Sequence, residues 1–137
     1  MPPDRCLTLA PGVRDAMLDH ARRALPVEAV GMLGGERDRA SLVCELVNLG
    51  GSRHFLVDPR SQYEAERRIS GAGLSVLALY HSHPSGGAAL SEVDVAFASR
   101  LPMLQIVIAL ARPHLPGCEL RAYQVCHGAV DEVQIAG

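Results

Sequence analysis

The chain has 137 residues, 48% of them hydrophobic and 20% charged. That is long enough for one domain with a real core, too short for two of ordinary size, and too apolar for disorder. A formal charge of −2 and an aromatic content of 4% supply neither the basic patch nor the stacking platforms of a nucleic-acid binder. No apolar run reaches eighteen residues and residues 1–6 lack a signal layout, so a cytoplasmic protein without a membrane partner is expected. Cys6, Cys44, Cys118 and Cys126 form no Cys-x-x-Cys pair. They read as small apolar fillers rather than as a zinc ribbon or disulfides.

In chain order, Pro11-Gly12 precedes Val13, Met17, Leu18, Ala21 and Leu25, the apolar face of a first helix ending at Pro26, with His20, Arg22 and Arg23 on its solvated side. Glu28 then opens a strand over 29–35, where Gly31, Gly34 and Gly35 indicate close backbone approach and a turn beyond. The charged turn 36–39 leads to an antiparallel partner over 41–49. Residues 54–57 read as a short strand before Asp58-Pro59. The stretch 60–70 has high helix propensity and is expected to pack Tyr63 and Ile69 inward.

The apolar run 74–80 ends in Tyr80-His81-Ser82-His83-Pro84. Period two puts His81 and His83 on one face at the end of a buried strand. A turn on Pro84, Gly86 and Gly87 leads to Ser91-Glu92-Val93-Asp94, whose helix start can return a carboxylate. Two imidazoles and Asp94 would complete the three protein ligands of a catalytic zinc site. Taken alone, Ser91 and Asp94 read as a capping box, and the two roles can coexist. A helix to about residue 100, a buried strand over 103–110, and an edge hairpin of 118–126 and 130–135 around His127-Gly128 complete the chain. This is an α/β (α+β) arrangement, a mixed sheet flanked by helices.

His81-Ser82-His83-Pro84, six further residues and Ser91-x-x-Asp94 resemble the signature of the JAMM metalloprotease family, the catalytic form of the MPN domain. Glu28 followed by Ala29-Val30-Gly31-Met32-Leu33-Gly34-Gly35 is similar to the family's upstream glutamate and glycine-punctuated strand. Leu90 departs from the proline that many relatives carry before the motif serine. The resemblance implies one MPN/JAMM-like domain over 1–137, with a layout related to that of cytidine deaminases. It also implies zinc on His81, His83 and Asp94, Glu28 as general base, and Ser91 as oxyanion donor. Glu28 directly precedes an apolar strand, and burial of a carboxylate raises its pKa toward proton-accepting use.

The implied substrate is the amide bond after the C-terminal Gly-Gly of a ubiquitin-like or sulfur-carrier protein. A homodimer is compatible with the sequence. Two readings compete with this one, a non-catalytic MPN scaffold and a DNA-repair-associated relative with the same motif. A zinc deaminase is disfavoured, because His83 is followed by Pro84-Ser85 and no Pro-Cys-x-x-Cys occurs. His54, His114 and His127 have no partner at ligand spacing and are assigned no role.

Overall fold

A computed structural model describes residues 5–51, 55–110 and 118–137. In that order run β1 (Cys6–Leu9), α1 (Val13–Ala24), β2 (Val30–Glu36), β3 (Arg39–Leu46), α2 (Pro59–Gly71), β4 (Ser75–His83), α3 (Glu92–Ala98), β5 (Leu104–Ala109), β6 (Glu119–Cys126) and β7 (Ala129–Ala136). The ends of these elements follow local chemistry. Arg37 and Asp38 (φ 54° and 59°) join β2 to β3, and His127 and Gly128 (φ 49° and 83°) join β6 to β7. Left-handed backbone at both loop residues is the two-residue turn whose twist matches antiparallel strands. Asp58 caps α2 by accepting from Arg60 N, with Pro59 at the first helical position, where its missing N–H costs nothing.

The strands form a closed mixed sheet in the order β1-β3-β2-β4-β5-β6-β7. β2 is antiparallel to both β3 and β4, and β5 runs parallel to β4. The expected edge hairpin is not an edge, because β1, absent from the sequence reading, runs parallel to both β3 and β7 and shuts the ring. Inside, Leu7, Met17, Leu33, Tyr80, Ile106 and Ile108 pack beneath α1. On the opposite face Val30, Met32, Leu79, Ala65 and Ile69 pack beneath α2. Gly31 stands across from Tyr80, and a Cβ there would collide with the Tyr80 ring. This is the close approach that the glycine pattern indicated.

Several side chains depart from expectation. His20 is buried, not solvated, and its Nδ1 lies 2.6 Å from the Tyr80 hydroxyl. Its three-residue step from Met17 places it on the apolar stripe. Burial pushes the His20 pKa down, against the pull of Glu45. Leu25 is exposed because the helix has ended before it. Tyr63 is 60% exposed, whereas Ala65 and Ile69 are buried. Two helical steps turn roughly 200°, so Tyr63 faces away from Ala65. Among the described residues, the strand expected over 54–57 is a single bridge between Asn48 and Val57, and β3 stops at Leu46. His54, Pro113, His114 and Pro116 lie outside the described residues. Cys126 is exposed, so the filler reading fails there.

Candidate metal centre

Alternation along β4 sends Tyr80 into the core beneath α1 and leaves His81 and His83 on the Leu79 face. Ser82, between them, ties the site to the neighbouring strand. Its Oγ accepts from Ala29 N at 2.8 Å, and its own N–H donates to Ala29 O at 3.0 Å. That pairing extends the β2–β4 register by one position and brings Glu28 alongside His83. Glu28 is buried, and its backbone oxygen accepts from Asn48 Nδ2 at 2.8 Å. From the other side, α3 begins at a reciprocal capping box. Ser91 Oγ accepts from Asp94 N at 3.1 Å, and Ser91 N donates to Asp94 Oδ2 at 3.0 Å.

The same Asp94 Oδ2 lies 3.2 Å from His81 Nε2 and 3.2 Å from His83 Nε2, and the two nitrogens are 3.2 Å apart. His83 Nδ1 is 2.8 Å from Gly87 O. A carbonyl can only accept, so Nδ1 carries the hydrogen and the Nε2 lone pair of His83 points into the cluster. Three potential donor atoms so close together can hold a cation among them, and without one a proton on an imidazole bridges to the carboxylate. A tetrahedral ion with bonds of about 2.0 Å has ligand-to-ligand edges of about 3.3 Å, and this triangle fits one. Glu28 is the looser fourth group, its ligand atom lying within 4.8 Å of those of the two histidines. Glu28 stands near both histidines, but the distances make Asp94 the tighter corner.

For Asp94, burial alone raises the pKa, but the hydrogen bonds with His81 and His83 outweigh it and hold the carboxyl well below its usual range. His83 is pushed up, chiefly by its bond to Asp94, with burial opposing and the Gly87 carbonyl assisting. Phe55 covers the His81 ring, centroids 4.8 Å apart and tilted by 40°, and Phe97 of α3 meets Phe55 edge-on at 5.3 Å.

The five residues singled out from the sequence thus converge, His81, His83 and Asp94 as a triangle, Glu28 beside it, and Ser91 through the cap of Asp94. His127 sits in the β6–β7 turn and Glu36 is exposed at the end of β2, both outside the cluster. Sequence reasoning missed Gly87, Asn48, Phe55 and Phe97. Gly87 acts through its carbonyl and Asn48 through a single side-chain bond, neither of which leaves a periodic trace. The two phenylalanines meet only in three dimensions.

The family model of prokaryotic homologues of the JAB domain matches residues 10–124. A CysO-cysteine peptidase of Mycobacterium tuberculosis is 33% identical over 121 residues, covering 86% of this chain and 82% of that protein. A probable TtuB-protein conjugate cleaving protease of Thermus thermophilus is 36% identical over 86 residues, 61% of this chain and 57% of that one. The solved structure of a JAB1/MPN domain protein from Archaeoglobus fulgidus superposes with a TM-score of 0.63 at 20% identity, over 96% of this chain and 100% of that one, which shows the fold. A mixed sheet that ends in paired histidines, beside a helix returning an aspartate, is therefore met here in a setting shared with known peptidases, and the chain belongs to the prokaryotic JAB, or JAMM, domain family.

Proposed function

We propose that the chain is a cytoplasmic, zinc-dependent peptidase or isopeptidase, acting as one catalytic domain over residues 1–137. Its substrate is the amide bond after the C-terminal Gly-Gly of a ubiquitin-like or sulfur-carrier protein. The observation that carries the reading is the 3.2 Å triangle of His81 Nε2, His83 Nε2 and Asp94 Oδ2 with buried Glu28 beside it. His81, His83 and Asp94 would hold the ion. Zinc bound there would supply a Lewis acid for the scissile carbonyl and lower the pKa of water. Glu28 takes the proton from the attacking water and returns it to the departing amine nitrogen. Ser91 Oγ accepts from Asp94 N and keeps its own hydrogen, which it donates to the developing oxyanion.

The substrate class draws on the two relatives, a CysO-cysteine peptidase and a probable TtuB-protein conjugate cleaving protease. Glycine before the cut suits a site where the ligand triangle, Glu28 and Ser91 crowd one carbon, since a side chain there would push the carbonyl aside. The test is a cleavage assay by intact mass on a Gly-Gly-X-terminated carrier series, with and without zinc. Cutting after the second glycine is expected, sharply reduced when that glycine becomes valine. Equal rates for glycine and valine, or no cut after the glycines in the zinc-loaded protein, would overturn the substrate assignment.

A further inference from the structure

We propose that Phe55 and Phe97 form an aromatic clamp that positions His81, performing by ring packing what a hydrogen bond performs for His83. The two ligand histidines are held differently. His83 has its Nδ1–H fixed on Gly87 O at 2.8 Å, the usual arrangement by which a ligand imidazole is oriented from behind. His81 has no such partner. Its side chain is 1% exposed, and its Nδ1 is buried with no hydrogen-bond partner among the described residues. Rotation about the last His torsion is broad and soft, so without an acceptor at Nδ1 the ring is held from behind by packing alone, its Nε2 meeting Asp94 and His83 in front.

Phe55 supplies that packing. Its ring lies over the imidazole at 4.8 Å and 40°, and Phe97 braces it edge-to-face at 5.3 Å and 89°, a favoured aromatic geometry. Phe97 stands three residues beyond Asp94 on α3, and side chains at that spacing share a helix face. The clamp thus reaches from the helix carrying one corner of the triangle to the ring providing another. Its outer side is open, because a cavity of about 60 Å³ lined by Phe55, Val93, Asp94 and Phe97 lies beside it, and Phe97 is 40% exposed. Phe55 is half-buried and also packs against the apolar cluster beneath α2, so the effect of truncating it on metal affinity is read against the stability of the metal-free protein. The inference rests on the proposed function only in taking the cluster as a metal site, and not on any substrate.

The experiment is a zinc titration of the full chain against a chromophoric chelator, run on the parent, Phe55→Ala, Phe97→Ala, Phe55→Tyr and the double Phe55→Ala/Phe97→Ala, with the melting temperature of each metal-free protein measured alongside. Loss of an orienting partner behind a ligand weakens metal binding by about 10- to 100-fold, and that loss is expected for Phe55→Ala. Phe97→Ala shows a smaller loss, Phe55→Tyr restores parental affinity, and the double variant binds no more weakly than Phe55→Ala, because Phe97 acts through Phe55. Zinc affinity of folded Phe55→Ala equal to the parent's overturns the clamp, as does a lowered melting temperature with unchanged affinity. Should Phe55→Ala not fold, Phe97→Ala carries the test, and unchanged affinity there overturns it equally. A chain that leaves Gly-Gly tails intact yet shows this zinc pattern loses the proposed function and keeps the clamp. One that cuts them with zinc affinity indifferent to Phe55 does the reverse.

Discussion

Gly31→Ala is expected to destabilise the fold and the site together, although it adds one methyl group on the sheet face opposite His81 and His83. The new Cβ would overlap the Tyr80 ring carbons and hydroxyl. Tyr80 is fully buried among Leu33, Ala78 and Ile106, so the ring has nowhere to swing. Overpacking of this kind costs about 1–3 kcal/mol. Displacing the ring also breaks its bond to the buried His20, at about 1–3 kcal/mol for the stranded group. Replacing glycine in a strand returns about 0.5–1 kcal/mol. The net loss is about 1–5 kcal/mol, a large share of the roughly 5–15 kcal/mol typical of a domain, and a fall in Tm of about 3–15 °C. Tyr80 precedes His81, so the same displacement moves a ligand, and a shift of about 1 Å costs on the order of 100-fold in rate. Urea and thermal unfolding of Gly31→Ala beside Gly51→Ala, whose added Cβ meets nothing within 4 Å, provide the measurement. A Gly31→Ala variant within about 0.5 kcal/mol of the control would refute the reasoning.

Other outcomes follow from the same geometry. Glu28→Gln should keep both fold and zinc yet lose about 100- to 10,000-fold in kcat; full turnover by that variant moves the base elsewhere. Ser91→Ala should retain zinc, lose about 100- to 1000-fold in kcat and, through the cap, about 1 kcal/mol of stability, the two read separately by kinetics and denaturation. Asp94→Ala should abolish stoichiometric zinc, since it removes a corner of the triangle; metal analysis showing one ion per chain would contradict the ligand set. For His20 the folded pKa lies below the unfolded value of about 6.5. Below pH 6.5 the unfolded chain therefore binds a proton that the folded chain resists, and stability falls as pH drops from there. His20→Gln should flatten that part of the acid slope in the metal-free protein, and identical slopes in variant and parent would exclude the assignment.

The clustering of His81, His83 and Asp94 was legible because strand and helix periods act locally. Period two places His81 and His83 together, and a serine three residues before Asp94 marks a helix start whatever surrounds it. Gly31 was legible too, since a glycine inside an apolar strand signals contact with a neighbouring element, although the sequence could not say that the contact is Tyr80. What escaped depends on partners distant in the chain. β1 is four residues with no alternation long enough to stand out, and it is a strand only because β3 and β7 flank it. His20 reads as polar in isolation, yet it is buried because the Tyr80 hydroxyl, sixty residues on, satisfies it. Tyr63 shows the opposite failure, a large apolar ring expected inside that the phase of α2 turns outward.

The shortest strand also has the farthest reach. In β1, Cys6 sits against Gln134 and Thr8 against Arg39, so the ring closes by joining the first described segment to the last. Such pairings carry the largest loop-closure entropy and form late. Until they do, β3 and β7 each present a bare row of amide groups, the kind of template that recruits other chains. Leu7 and Leu9, almost wholly buried, are the anchors that keep this seam shut. Conditions that loosen those four residues should thus show up as self-association while the histidine triangle, on the far strands of the ring, is still assembled.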